Sequence, residues 1–190
     1  YADNCFQWKR FEWPYIKSKV PYGDDLPEGY TTEISLQSDG WLKSLYNLMA
    51  EGVVLLIDYG MSQSEYFHPQ RTDGTLKCFH KHKSNNNPFI HLGDQDITAS
   101  VNFSDIAKSS IDAGFKVDGY STQSMFLISL GIENFLISEE NTENKIKLAQ
   151  EVKQLVMPGA MGEVFKVMAL TKKQPVKLDG FKEQNLTERL

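Results

Sequence analysis

The chain has 190 residues, 41% of them hydrophobic and 24% charged, with a formal net charge of −5 and a pI near 5.4. That length suits one ordinary soluble domain with a proper core, and the acidic balance argues against nucleic-acid or anionic-membrane partners, which want a basic face. No apolar run is long enough to span a bilayer, no signal-peptide pattern opens the chain, and Cys5 and Cys78 lack C-x-x-C spacing, so a cytoplasmic protein with reduced thiols is expected.

The chain starts at Tyr1 rather than a methionine, which suggests a piece of a longer protein. Residues 5–20 alternate apolar and polar positions about Pro14 and predict a β-hairpin. Residues 21–29 hold two prolines and two glycines and predict loop, and residues 30–34 a short strand. Trp41, Leu42, Leu45, Leu48 and Met49 recur at helical spacing, with Ser38 or Asp39 as N-cap and Gly52 as the left-handed C-terminal residue.

Residues 52–60, GVVLLIDYG, organise the rest. Five aliphatics between glycines read as a strand buried on both faces, as in a parallel sheet covered by helices. Ligands of open α/β sheets bind beyond the carboxyl ends of the strands, which is where Asp58, Tyr59 and Gly60 lie, as an acidic-aromatic-glycine turn. Position alone equally allows a strand cap and a permissive turn.

Residues 61–93 are polar and irregular, and the substrate-side loop or lid is expected over 61–98. Loops of such length are usually functional or disordered, and this one carries all four histidines, His68, His80, His82 and His91. Residues 104–113 predict a helix with Ile106, Ala107 and Ile111 inside, capped by Asn102 or Ser104 and stopped by Gly114. A second strand is expected over 115–120, a short helix over 121–131, a helix over 141–156 with Ile146, Ala149, Val152 and Leu155 on its inner face, and a last strand over 163–170. The alternation of helix and strand is that of an α/β sheet, and residues 182–190 are expected to form a frayed tail.

Four histidines in one segment raise the question of a metal, but no H-E-x-x-H or Cys/His pair accompanies them and none is expected. A G-x-S-x-G elbow, a P-loop and a G-x-G-x-x-G are all absent from the sequence. What remains is a recognition surface of aromatics, carboxylates and hydroxyls: Tyr59, Gly60, Tyr66, His68, Arg71, Asp96 and Thr98 are the candidate substrate-binding residues. Asp58 stands at the same strand end as Tyr59 and Gly60.

Six blocks occur in order: LIDYG at 56–60, DGTL at 73–76 with HKH at 80–82, DITASVNF at 96–103, GYSTQSMFL at 119–127, LGI at 130–132 and MGEVFKVMAL at 161–170. Together they resemble the C-terminal half of the MidA-like S-adenosylmethionine-dependent methyltransferases, the family that includes the mitochondrial arginine methyltransferase assisting assembly of respiratory complex I. YFHPQR at 66–71 is similar to the proteobacterial branch. The resemblance covers residues 5–181.

It implies the C-terminal part of a seven-stranded Rossmann-like sheet with helices on both sides and an inserted hairpin at 5–20. The strand at 53–57 would be the fifth, that at 115 the sixth, and that at 163 an antiparallel seventh lying between them. It implies S-adenosylmethionine as cofactor and a protein substrate with arginine as one possible acceptor; for transfer to a guanidinium, Asp58 would be the candidate catalytic carboxylate, since a carboxylate can orient and partly neutralise that nucleophile. The family's glycine-rich loop, ribose-binding acid and Asn-Glu motif have no counterpart here; the cofactor-binding residues would lie upstream of Tyr1, and this piece alone would be inactive. Without its fourth strand, the strand at 53–57 would present an open apolar edge, through which a homodimer is expected. A second reading is a noncatalytic interaction module, its hairpin and histidine-rich loop binding a partner such as a respiratory-chain subunit.

Overall fold

A computed structural model describes residues 6, 9, 11–13, 16, 19–21, 25–173 and 177–190. Its contacts group into two compact units, Tyr1–Ser35 with Ser64–Ser100, and Leu36–Gln63 with Val101–Leu190. The hairpin expected over 5–20 lies mostly outside the described residues. The named strands are β1 (Gly52–Met61), β2 (Lys77–His80), β3 (Lys83–Asn85), β4 (Asp96–Thr98), β5 (Val101–Asn102), β6 (Lys116–Thr122) and β7 (Phe165–Lys172). The helices are α1 (Ser38–Leu48), α2 (Gln63–Tyr66), α3 (Phe103–Ala113), α4 (Gln123–Ser129), α5 (Glu133–Ser138) and α6 (Thr142–Val156).

The second unit is built on a four-stranded sheet in the order β5-β1-β7-β6. β7 runs antiparallel to both neighbours, pairing Leu55 with Ala169 on one side and Tyr120 with Met168 on the other. This is the antiparallel strand between two others that the resemblance implies. β5 pairs parallel with β1 only at Gly60 and Met61. One face of the sheet carries α1 and α3 over a core of Leu42, Phe103, Ala107, Phe115, Tyr120, Met168 and Leu170, to which Val54 and Leu56 add their side chains. The opposite face gathers Val53, Val167, Ala169, Phe126 and Phe181.

β1 is not buried on both faces. Leu55 is 47% and Ile57 52% exposed, because their side chains share the face of Val53 beyond the reach of the cluster over β7. Nor do Asp58 to Gly60 form a turn, since the strand continues through them to Met61. Gly60 is demanded by packing: a Cβ there would strike the Val101 carbonyl and lie 2.8 Å from the Phe103 ring.

Local signals set several boundaries. Asn102 caps α3 by accepting from the amides of Ser104 and Asp105, and Gly114 closes it with φ 111°. Asn141 caps α6 in the same way through the Asn144 amide. In α1 the expected caps are displaced: Gln37 holds the N-cap position, while Asp39 inside the first turn accepts from the Ser109 hydroxyl at 2.5 Å. At its other end the buried Lys172 ammonium donates to the carbonyls of Tyr46 and Met49, each at 2.6 Å, and lies 3.8 Å from the Tyr46 ring centroid. A cation there satisfies orphan carbonyls and opposes the negative end of the helix dipole.

Other expectations fail. Residues 30–34 form no strand, only the isolated bridge of Thr31 to Asp73. Ile111 and Ile146, expected inside, are exposed, and α6 buries none of its residues. The polar stretch at 61–93 is not structureless, since it supplies β2 and β3 of a three-stranded sheet ordered β3-β2-β4. HKH at 80–82 is the tip of its hairpin: His80 pairs with Lys83, and Lys81 and His82 take φ of 48° and 63°, a two-residue turn of the kind that favours Asn-Gly.

The tail does not fray. Gln184 Oε1 accepts from the Ser121 hydroxyl, the Thr122 amide and the Thr122 hydroxyl at 3.0–3.2 Å. Asn185 Oδ1 accepts from the Tyr120 amide at 3.2 Å, and its Nδ2 donates to the Asp118 carbonyl at 3.1 Å. Leu186 and Leu190 pack on the first core cluster. Removing residues 182–190 is therefore expected to cost about 2–4 kcal/mol through lost apolar burial and stranded polar groups along β6. Urea unfolding measures this, and an unchanged midpoint would refute the docked tail.

Candidate functional site

The sheet presents Asp58, Tyr59 and Gly60 at the carboxyl end of β1, where β5 joins it. Asp58 is exposed and its Oδ1 accepts from the Tyr59 amide at 2.8 Å. In register it faces Lys166 of β7, the pairing of opposite charges that antiparallel strands favour. Tyr59 packs edge-on against Phe165, centroids 5.0 Å apart. Asp58 thus keeps a carboxylate oxygen open to a ligand on a rigid strand.

The other candidates belong to the first unit. Tyr66 ends α2 and is 3% exposed. Its hydroxyl donates to the Glu33 carbonyl at 3.1 Å and its ring meets Phe67 edge-on at 5.1 Å. Burial, opposed by hydrogen bonding and reinforced by Glu33, pushes its phenol above the ordinary tyrosine range, so it is a neutral donor anchoring a loop. Asp96 and Thr98 sit on β4, opposite Phe79 and Lys77 of β2.

His68 and Arg71 do come together. With Gln70, Thr72, Asp73 and Gly74 they line a cavity of about 390 Å³. The walls are fixed from behind. The Arg71 amide donates to the His68 carbonyl and the Thr31 amide to the Thr72 carbonyl, both at 2.8 Å. Tyr30 donates to the His68 carbonyl at 3.3 Å; burial raises its pKa, partly offset by the Arg71 charge. Glu33 closes the end of the loop: its carboxylate accepts from the Thr75 amide and hydroxyl, each at 2.8 Å, and from the Leu76 amide at 3.1 Å.

His80 and His91 stack at 4.1 Å with 8° between planes, and His80 Nδ1 lies 2.8 Å from the Asp94 carbonyl. A carbonyl can only accept, so Nδ1 carries the proton. Among the described residues, no three His, Cys, Asp or Glu side chains are grouped to hold a metal ion.

Residues 3–121 match the family model described as "Putative S-adenosyl-L-methionine-dependent methyltransferase". The chain belongs to this family. Among curated proteins, none matches. Two crystal structures of COG1565 superfamily proteins from Burkholderia thailandensis are similar at 33% identity and a TM-score of 0.89. One, bound to S-adenosyl-homocysteine, covers 96% of this chain and 47% of its own; the second covers 95% and 49%. The chain spans about half the length of the structures it matches.

Family membership implies S-adenosylmethionine, but the residues present do not fit the whole cofactor. The sequence has no glycine-rich turn after a parallel strand to take an adenosyl group, and Asp58 alone offers an open carboxylate at the end of β1.

Sequence reading missed Tyr30 and Glu33, which brace the cavity, and Asp73, which lines it. DGTL at 73–76 marks the loop, yet nothing near Glu33 in sequence announces that its carboxylate holds a segment some 42 positions away.

Proposed function

We propose that this chain is the substrate-side part of a cytoplasmic, MidA-like S-adenosylmethionine-dependent methyltransferase that modifies a protein, with arginine as the acceptor. The observation that carries the reading is the antiparallel β7 inserted between β1 and β6, in a chain 33% identical to a structure holding the demethylated cofactor. In the longer relatives' architecture, the other half would bind the cofactor and present its methyl group to Asp58. In the piece taken alone, the open edge of β1 would pair with a second copy of the chain.

Asp58 would hold the acceptor guanidinium by charge-assisted hydrogen bonding, which orients the nitrogen and offsets charge as the methyl group arrives. Methylation by the full-length protein is expected to fall about 100-fold in Asp58→Asn, with S-adenosyl-homocysteine affinity retained in calorimetry. Undiminished methylation at native stability would remove Asp58 from the mechanism. Failure of the full-length protein to bind the cofactor would remove the methyltransferase reading itself.

A further inference from the structure

Two side chains of opposite charge line one cavity without pairing. Arg71 uses Nε to donate to the Glu65 carbonyl at 3.2 Å, and its Nη groups meet no acceptor among the described residues. The Asp73 carboxylate likewise forms no hydrogen bond or ion pair among the described residues. Both face the same space of about 390 Å³. His68 adds a third group: its Nδ1 accepts from the Gln70 amide at 3.3 Å, so the neutral ring carries its proton on Nε2 as a donor away from that contact.

The arrangement selects a ligand class. A guanidinium held by Nε presents its Nη donors as a fixed fork, the geometry that matches a carboxylate in two parallel bonds. Asp73 on the same loop repels a polyanion and attracts a cation. A nucleic-acid backbone, anionic at every position, is therefore a poor occupant, whereas a ligand bearing a carboxylate beside a cationic group satisfies both walls. The space is an open cleft whose residues His68, Gln70, Thr72 and Asp73 are exposed, so it suits a segment of chain lying across it rather than an enclosed small molecule.

We propose that this cavity is a peptide-recognition subsite that reads an acidic residue adjacent to a basic one on a polypeptide, with Arg71 and the His68 Nε2–H taking the carboxylate and Asp73 the cation. It rests on the reading of the chain as the substrate side of a protein methyltransferase and names the sequence feature that substrate carries. The bound basic residue is held here for recognition, separately from the acceptor assigned to Asp58.

The test uses the full-length protein and four blocked pentapeptides whose central pair is Asp-Arg, Asp-Ala, Ala-Arg or Ala-Ala, followed by NMR at the His68 ring and the Arg71 Nε–H. The Asp-Arg peptide is expected to bind about tenfold more tightly than either singly charged peptide. Arg71→Lys keeps the charge but not the fork and should weaken the two Asp peptides about tenfold, while Asp73→Asn should erase the advantage conferred by Arg alone. Thermal melts of both variants confirm the fold. Equal affinities for the four peptides, or an Asp-Arg affinity untouched by either variant, would overturn the subsite. Free aspartate and arginine binding as tightly as the Asp-Arg peptide would overturn its polypeptide character. S-adenosyl-homocysteine binding is measured in parallel: retained cofactor binding with indifferent peptides sinks the subsite alone, and lost cofactor binding sinks the methyltransferase reading.

Discussion

Glu33→Ala is expected to destabilise the first unit by about 2–4 kcal/mol, because it removes the acceptor shared by three part-buried donors. The carboxylate accepts three hydrogen bonds from Thr75 and Leu76. Around it the loop is tight: Gly74 has φ 71°, and a Cβ there would run into the Glu33 carboxylate. Thr75 passes the constraint on, its hydroxyl oxygen accepting from the Ser100 amide at 3.0 Å. The Glu33 backbone carbonyl meanwhile receives the Tyr66 hydroxyl. One residue therefore ties together the segment before α1, the wall of the cavity and the approach to β5.

Glu33→Gln separates charge from shape. Its amide keeps one acceptor oxygen but turns an NH₂ toward either Leu76 or Thr75, so about half of the loss is expected. Urea unfolding gives the energies, and hydrogen exchange at the Thr75 and Leu76 amides localises them. Alanine and wild-type proteins unfolding together, with both amides still protected, would show that the loop stands without this carboxylate. If the loop does loosen, the peptide discrimination assigned to Arg71 and Asp73 should weaken as well, since their backbone is part of the same wall.

What the sequence discloses follows the range of the interactions involved. Asn102, Gly114 and Asn141 act within a turn of their own helix, and each is found at the boundary its chemistry predicts. The aliphatic run of β1 gives a strand for the same reason. Burial is less legible, because it depends on what covers a residue. Ile111 and Ile146 fit an inner helical face by spacing yet lie open. GYSTQSMFL, one of the blocks that carry the resemblance, has structural work to do: Thr122 caps α4, Gln123 donates to the Leu155 carbonyl at 2.9 Å, and Ser121 is held by Gln184. Glu33, Gln184 and Asn185 each work across tens of residues, and nothing in their own neighbourhoods marks them. The candidate site is divided in the same way: His68 and Arg71 lie close in sequence and share a cavity, whereas Asp58 to Gly60 belong to a different compact unit from the remaining candidates.

The second large effect concerns the open side of β1. β7 pairs with it from Gly52 to Tyr59, but on the other side β5 reaches only Gly60 and Met61, leaving residues 53–58 without a strand partner among the described residues. Edges of natural sheets are usually blunted by lysine, proline or a bulge, and VVLLI has none of these. Its Leu55 and Ile57 side chains are about half exposed on one face. Two copies meeting along this edge about a two-fold axis would pair antiparallel, satisfy the free backbone groups and bring the four exposed aliphatics together. The chain is therefore expected to be dimeric in light scattering at about 100 µM, where even a pairing worth about −6 kcal/mol is well populated. Leu55→Lys combined with Ile57→Lys places like charges across the new seam and should give a monomer with unchanged far-ultraviolet dichroism, since neither residue belongs to the cluster that buries Val54 and Leu56. A monomeric wild-type chain at that concentration would mean that the edge is covered by something other than a second copy, and the homodimer would be discarded.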